Sequence, residues 1–560
     1  MTSRSFRFLL VNYLRRSLST HNKIDPIICG PEPVHTILNI PLGQMILQRL
    51  TAETRKESAL IDPTTKKTVS YQKILCQSIS LARSLRNCGY TKDTNVTICS
   101  ENSVNFFVPI LACLYLGAPV STISPYYTNK QKLHCFNMTK PEVVFTSRMA
   151  LAHLRQLKEE LHYVEKLILI DGCEADSMEN FIKENHLNEG VDFSLAEIDP
   201  CEDVAFIVFS PGTTCGLPRG VMLTHTNVVV AFSNLMDSRF YAQAANSPVL
   251  GLVPFTHSYG LTCTLFDIMI GKQVVVFPLY EQNNFLSALD KYKIKQVWVL
   301  PCVTKMMLCN PIVKKYSLDN LREIDCSGNS LNQIVEKEMR KKFPKLNMIR
   351  QDYCLTETTA GILAMDYNKP KAGSCGKVVP QMCCKVVDTA SGKLLGPNQI
   401  GELYVKGDMV MKGYYGSEPP PAHVFSSDGW FVTGDLVYYD EEQYFHFVER
   451  IQDVICYCDR RVFPALIENV LLSHEDIRDA GVIGLPVKNG EGEWPLAFVV
   501  KNDKSNLSEE KILEYVAERC ADKMKLRGGV RFIPQIPRNR YGKILKHRLR
   551  RMVEGIKKRG

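Results

Sequence analysis

Short β-branched runs alternate with longer stretches of helical periodicity through the first two thirds of the chain, and this alternation restricts the fold more than any other feature. Val96–Cys99, Val143–Phe145, Val204–Phe209, Val274–Phe277 and Gln296–Leu300 read as buried strands. Ser103–Leu116, Thr226–Met236 and Asn284–Lys291 read as helices between them. A strand–helix alternation of this kind builds α/β layers on mainly parallel sheets. After about Ala372 the texture shifts to short strands and Gly/Pro turns: Lys385–Asp388, Gly401–Lys406 and Gln443–Val448. From Ile451 onward, strands at Gly481–Gly484, Ala497–Lys501 and Val530–Phe532 alternate with helices at Pro464–Leu472 and Ser508–Met524. That last stretch is long enough for a separate α+β domain.

With 560 residues and 45% apolar content, the chain can bury large cores and is neither disordered nor fibrous. Its net charge of +9 is concentrated at the two ends. Residues 1–23 carry +5 and residues 538–560 carry +9, leaving −5 on the body between them. A mildly acidic body argues against nucleic acid as a partner. The Arg- and Ser-rich, acid-free segment 1–23 has the composition of a mitochondrial targeting sequence, with a cytoplasmic protein as the alternative. The terminal Lys-Lys-Arg-Gly is not a peroxisomal Ser-Lys-Leu address. The longest apolar stretch, Phe106–Ile123, is broken by Pro109, Gly117 and Pro119 and reads as a buried helix running into a core strand, not a membrane span. The 20 cysteines include no C-x2-C pair and are expected to be mostly buried and reduced, as in an intracellular protein. Cys456 and Cys458 lack the partner spacing of a metal site.

The strand Phe206–Phe209 runs into Ser210-Pro211-Gly212-Thr213-Thr214-Cys215-Gly216-Leu217-Pro218-Arg219-Gly220. Glycines that let backbone N–H groups approach an anion, hydroxyls that donate to it and a cation that offsets its charge suit a polyphosphate. No Gly-Lys-Ser/Thr closes the loop, so it is not a Walker A sequence. Further blocks follow at Gln351–Glu357, Gly401–Gly407, Met411–Tyr415, Gly429–Asp435, Val448–Arg450 and Pro537–Lys543. In this order and spacing, from about Ile40 to Arg551, the set resembles the adenylate-forming superfamily. Within it, the set is most similar to the acyl-CoA synthetases related to 4-coumarate–CoA ligase and firefly luciferase.

The resemblance implies a large N-terminal domain, residues 24–448, of layered α/β subdomains plus a β-barrel-like subdomain. It further implies a hinge at 449–453 and a small mobile α+β C-terminal domain at 454–560. It implies an enzyme that joins a carboxylic acid to ATP, giving acyl-AMP and pyrophosphate, and then passes the acyl group to the thiol of coenzyme A. A medium- or long-chain fatty acid is the expected acid, with an aryl acid second. By the same resemblance, Lys543 bridges the acyl carboxylate and the α-phosphate, and Glu357 holds Mg2+. Thr356 donates to the α-phosphate, Tyr353 lies on the adenine, Asp435 accepts the ribose hydroxyls and Arg450 sits near ribose and hinge. His257 belongs to the block walling the acyl pocket, and serves equally well as a structural histidine. Ser210, Gly212, Thr213, Thr214, Gly216, Arg219 and Gly220 surround the phosphates. Gly328 lies between adenine and acyl group.

Several positions depart from the family pattern. Pro211 has no N–H to donate, Cys215 is inserted, and Arg219 stands where lysine is usual. Asp352 and Cys354 replace glycines beside Tyr353, and Asp352 is expected to place a negative charge near the phosphates. Asn329 and Ser330 depart from the usual Ala-Pro, and Gln452, Cys456, Cys458 and Asp459 replace three lysines and a glycine beyond the hinge. Two alternatives to a working acyl-CoA synthetase therefore stand: a nucleotide- or acyl-binding pseudoenzyme, and an adenylating enzyme with an acceptor other than coenzyme A. Oligomeric state is not legible in the sequence.

Overall fold

The computed structural model describes residues 26–52, 58–157, 159–185, 193–210, 217–241, 247–327, 331, 333–417, 421, 423–457, 460–487, 492–503, 505–538 and 543–557. Residues 1–23, read above as a targeting sequence, therefore lie outside the described residues. So do Gly212, Thr213, Thr214, Gly216 and Gly328, together with Pro211, Cys215, Asn329, Ser330, Cys458 and Asp459.

The chain forms a large N-terminal domain and a smaller C-terminal one. At the centre of the first is a seven-stranded sheet whose inner strands, including Val96–Cys99, Val120–Thr122, Val143–Thr146 and Val204–Ser210, pair in parallel. Every residue of Val96–Cys99 and Val143–Thr146 is buried, as expected of strands covered on both faces. The helix Phe107–Leu116 is buried along its whole length. Pro109 falls in its first turn, where the missing N–H would have had no partner in the helix. Gly117 ends it in the left-handed conformation at φ 72°. The strand Val120–Thr122 follows, so the apolar stretch Phe106–Ile123 is helix and strand within the core. Among the described residues no helix is long and apolar enough to cross a membrane.

A second, four-stranded sheet carries Val249–Gly251 and Val274–Val276 in parallel. A third contains three parallel strands, Gln296–Val299, Glu323–Cys326 and Met348–Gln351, in which Trp298 lies beside Asp325 and Asp325 beside Arg350. Val297, Val299, Ile324, Cys326 and Ile349 on one face share an apolar cluster with Phe285 and Leu289. The opposite face is polar, yet it is also buried.

Beyond Ala372 the β-rich texture becomes a five-stranded antiparallel sheet that includes Met382–Val387, Gly401–Gly407, Phe431–Tyr439 and Phe445–Arg450. Pairing of Gly376 with Phe445 joins it to the three-stranded sheet of Tyr353–Cys354, Gly361–Ala364 and Lys377–Val378, giving the barrel-like subdomain. The short strand Ile27–Cys29 lies along one edge, with Cys29 opposite Cys383 and bridged to it. This pair departs from the expectation of reduced cysteines, and six of the described free cysteines are exposed, not buried.

In the C-terminal domain, Ile477–Pro486, Glu493–Lys501 and Val530–Phe532 form a sheet backed by Pro464–Leu472 and Glu509–Arg519. The helix read as Ser508–Met524 stops at Arg519 and resumes as one 3-10 turn, Asp522–Met524. Ser508 caps its start through Lys511 N–H. The small domain touches the large one through Lys305 Nζ, which donates to Arg478 C=O at 3.0 Å, and through Arg461 and Thr389.

Candidate active site

The candidate site lies where the barrel-like subdomain, the seven-stranded sheet and the small domain meet. Asp435, only 2% exposed, sits on the strand Phe431–Tyr439 directly opposite Arg450 on Phe445–Arg450. Arg450 Nε lies 3.3 Å from Asp435 Oδ1, and the Tyr353 hydroxyl donates to Oδ2 at 2.7 Å. The expected ribose carboxylate and adenine-stacking tyrosine are thus one hydrogen-bonded unit, although 82 residues separate them. Burial, and then the charge of Asp435, raise the Tyr353 hydroxyl well above its ordinary value and keep it a donor.

Glu357 occupies a 3-10 turn, Thr356–Thr358, beside buried Thr356. Thr359, at φ 67° and ψ −54°, forms a γ-turn of the rare positive-φ hand, closed by Ala360 N–H to Thr358 C=O at 2.7 Å. A β-branched residue holds that conformation only where its surroundings enforce it. Here Thr359 Oγ1 donates to Met409 C=O at 2.8 Å, and Met411 N–H donates to Glu357 C=O at 2.9 Å. The Glu357 carboxylate is therefore aimed by a strained turn pinned to the segment Met409–Met411.

Tyr414 belongs to the site although sequence reading gave it no role. Its hydroxyl donates to Glu357 Oε1 at 2.8 Å, and the Arg219 guanidinium lies 5.1 Å from its ring centre. The only signal for it was its place in the block Met411–Tyr415. Glu357 Oε2 accepts no hydrogen bond from the described residues. One carboxylate oxygen beside phosphate oxygens is a donor set that Mg2+ accepts, since this ion keeps waters and takes few protein ligands.

Ser210 and Arg219 face each other across the hairpin of Val204–Ser210 and Arg219–Thr224 and frame the base of the candidate phosphate loop. The strand Val204–Ser210 is thus paired antiparallel with Arg219–Thr224 on either side of that loop, unlike a phosphate loop that leads from a strand directly into a helix. Gly220 has a packing reason to be glycine. An added Cβ would stand 3.1 Å from Ile207 Cγ2 and 3.2 Å from Met138 Sδ.

His257 caps the helix Ser258–Met269, its Nδ1 accepting Tyr259 N–H at 3.3 Å. Burial lowers its pKa to about 4, so the ring is neutral. Lys543 comes from the small domain and lies near enough to Arg450, Asp453 and Asp435 to feel their charges. Burial and then Arg450 push its pKa down to about 8, with the two carboxylates opposing. Just beyond it, Lys546 Nζ lies 3.5 Å from Glu449 Oε2, which also accepts Ala465 N–H at 3.1 Å.

Asp352 does not behave as its position beside Tyr353 suggested. Its Oδ2 accepts the Tyr241 hydroxyl at 2.8 Å, and its carboxyl feels Arg350. Burial, then Asp325, raise its pKa to about 7. It is therefore not a bare anion aimed at phosphates. Cys354 meets Ser327 Oγ at 2.9 Å.

Residues 47–415 match the AMP-binding enzyme family, and residues 466–543 match the AMP-binding enzyme C-terminal domain. The chain belongs to the AMP-binding enzyme family and is an adenylate-forming enzyme. Among its relatives, luciferin 4-monooxygenase of Photuris pensylvanica is 37% identical over 538 residues, covering 94% of this chain and 98% of that protein. Peroxisomal OPC-8:0-CoA ligase 1 of Arabidopsis thaliana is 31% identical over 541 residues, covering 94% of each chain. Among solved structures, ATP-bound MatB from Rhodopseudomonas palustris shares the fold, with a TM-score of 0.82 at 22% identity over 92% of this chain and all of that one.

Proposed function

We propose that this protein is an acyl-CoA synthetase acting on a fatty acid of medium or long chain. The observation carrying this reading is that Lys543 of the small domain lies beside the Asp435–Arg450–Tyr353 unit of the large domain. Attack of a carboxylate on the α-phosphate brings two anions together, so the barrier is lowered chiefly by cations placed where charge concentrates. Lys543, Arg450 and Arg219 supply them, and Mg2+ held by Glu357 would neutralise phosphate charge. A carboxylate oxygen bonds to the α-phosphorus as the bond to pyrophosphate breaks, and pyrophosphate leaves with the electron pair. The coenzyme A thiolate then attacks the acyl carbon, the acyl–phosphate C–O bond breaks, and AMP leaves. Rotation about residues 449–453 would bring the second reaction's surface into place. CoA ligases among the relatives support coenzyme A as acceptor, and luciferases among them keep oxygen as the alternative.

Purified protein is expected to exchange labelled pyrophosphate into ATP only when a suitable acid is present, and to yield a thioester when coenzyme A is added. Exchange without thioester would redirect the proposal to another acceptor, and no exchange with any fatty or aryl acid would end it. Deleting Cys215 restores the usual length of the phosphate loop and is expected to raise the exchange rate severalfold. An unchanged or lower rate would show that the loop has adapted to the insertion.

A further inference from the structure

Glu449 makes a nearly buried contact between the two domains. It lies on the strand Phe445–Arg450 of the large domain, paired opposite Leu436. Its Oε2 stands 3.5 Å from Lys546 Nζ of the small domain, and the two side chains are only 8% and 10% exposed. The same oxygen accepts Ala465 N–H at 3.1 Å, while Oε1 accepts Arg450 N–H at 3.2 Å. The contacts of Lys305 with Arg478 and of Arg461 with Thr389 also join the domains, but they are exposed, where water competes for each bond.

The helix Pro464–Leu472 brings no cap of its own. Phe463, in the N-cap position, has no side-chain acceptor, and Pro464 has no N–H. The first N–H of the helix that needs a partner is therefore that of Ala465. A carboxylate at this end satisfies the donor and suits the positive end of the helix dipole. Here the carboxylate comes from the other domain. Lys546, the second partner of Glu449, opens the helix Lys546–Lys557, three residues beyond Lys543. The chain around it is fixed in the small domain: Ile544 pairs with Arg538, Leu545 N–H donates to Pro537 C=O at 2.8 Å, and Leu549 is fully buried. Lys543 and Lys546 thus travel with one body. Lys546 also attracts Glu468, which accepts Val482 N–H at 2.8 Å, so it keeps a carboxylate neighbour when Glu449 is replaced.

We infer that Glu449 is a positioning residue for Lys543: from the large domain it caps a helix of the small domain and pairs with Lys546, and this clasp holds Lys543 beside Asp435 and Arg450. The inference rests on the proposed adenylation, in which Lys543 stands at the α-phosphate. A nearly buried charge is costly when it loses its partner, so small displacements of the domain are opposed. Rotation about residues 449–453 would break both bonds together and return both charges to water. The clasp therefore favours the adenylating arrangement without locking it.

The test compares Glu449→Ala and Glu449→Gln with the natural protein, using dodecanoate as the acid. Glu449→Ala is expected to lower kcat for dodecanoate-dependent pyrophosphate exchange by about tenfold to a hundredfold, the cost of misplacing a catalytic group by about an ångström, with the KM for ATP within about threefold. Thioester formation from supplied dodecanoyl-AMP and coenzyme A should stay within about threefold, because that step comes after the one Lys543 serves. Glu449→Gln still accepts from Ala465 but carries no charge, and its rate should fall between. Amide hydrogen exchange reads the clasp without substrate: the first turn of Pro464–Leu472 should exchange faster in Glu449→Ala, with Ile477–Pro486 unchanged. Equal losses in the two half-reactions, or an ATP KM that rises as far as kcat falls, overturn the inference. Unchanged exchange at the start of that helix overturns it as well. If the natural protein activates neither dodecanoate nor any other acid, the proposed activity fails, and faster amide exchange in Glu449→Ala still upholds the clasp.

Discussion

Replacing Lys543 with alanine is expected to lower the adenylation rate by about a thousandfold or more while leaving ATP affinity within about threefold. The lysine belongs to the small domain and, in the proposed reaction, bridges the attacking carboxylate and the α-phosphate. Asp435 and Tyr353, which hold adenosine in the proposed reaction, belong to the large domain, and Arg450 ends one of its strands at the hinge. A donor that acts only as charge develops contributes to rate and little to ground-state binding, and losing one such donor commonly costs about 100- to 1,000-fold. Lys543 also bridges two anions, which places it at the upper end. Its depressed pKa sets the pH profile. The charged form is needed, and its fraction falls as pH rises through about 8, so kcat/KM for adenylation should decline nearly tenfold per pH unit above that point. ATP phosphates next to the lysine raise its pKa, so the plateau of kcat should extend further into alkali. Lys543→Arg keeps the charge and should remove the decline. An ATP affinity that falls as far as the rate, or a flat kcat/KM up to pH 10, would overturn this division of labour.

The fold was legible where local pattern and burial agree. Val96–Cys99, Val530–Phe532 and Pro464–Leu472 have the predicted bounds, because β-branched runs and a proline at the first helical position are local signals. The site was legible as separate motifs but not as contacts. Nothing in the Gln351–Glu357 block says that the Tyr353 hydroxyl is bonded to Asp435, and nothing local ties Tyr414 to Glu357. Cys29 and Cys383 are 354 residues apart, so their pairing depends on which strands become neighbours. The polar sheet face was illegible for a different reason. Glu323-Ile324-Asp325-Cys326 alternates like a strand with one face in water. Period-two alternation cannot distinguish water from a buried arginine and its carboxylates. For the same reason Asp352 read as a charge near phosphate, when its neighbours are Tyr241 and the Arg350 cluster.

Replacing Arg350 with methionine should destabilise the large domain by about 3–5 kcal/mol, the range for removing one partner of a buried ion pair. Arg350 is fully buried, lies between the rings of Tyr241 and Tyr367 at 5.6 and 5.8 Å, and is the cation paired with both Glu323 and Asp325. Methionine roughly fills the volume, so the loss is electrostatic and not that of a cavity. Three carboxyls, those of Glu323, Asp325 and Asp352, would then share a dry region without their cation. Burial already raises Glu323 and Asp352 despite Arg350, and its removal must raise them further. A carboxyl whose folded pKa lies above its unfolded value binds more protons when folded, so its burial is tolerated at low pH and destabilises as pH rises through the folded pKa. The deficit of Arg350→Met should therefore be smaller near pH 5 than near pH 8, as measured by urea unfolding midpoints. Adding Asp325→Leu removes one uncompensated charge and should recover part of the stability, because an apolar replacement for a whole buried pair is often neutral. A loss below about 1 kcal/mol, or one independent of pH, would mean that the cluster is not held together by charge.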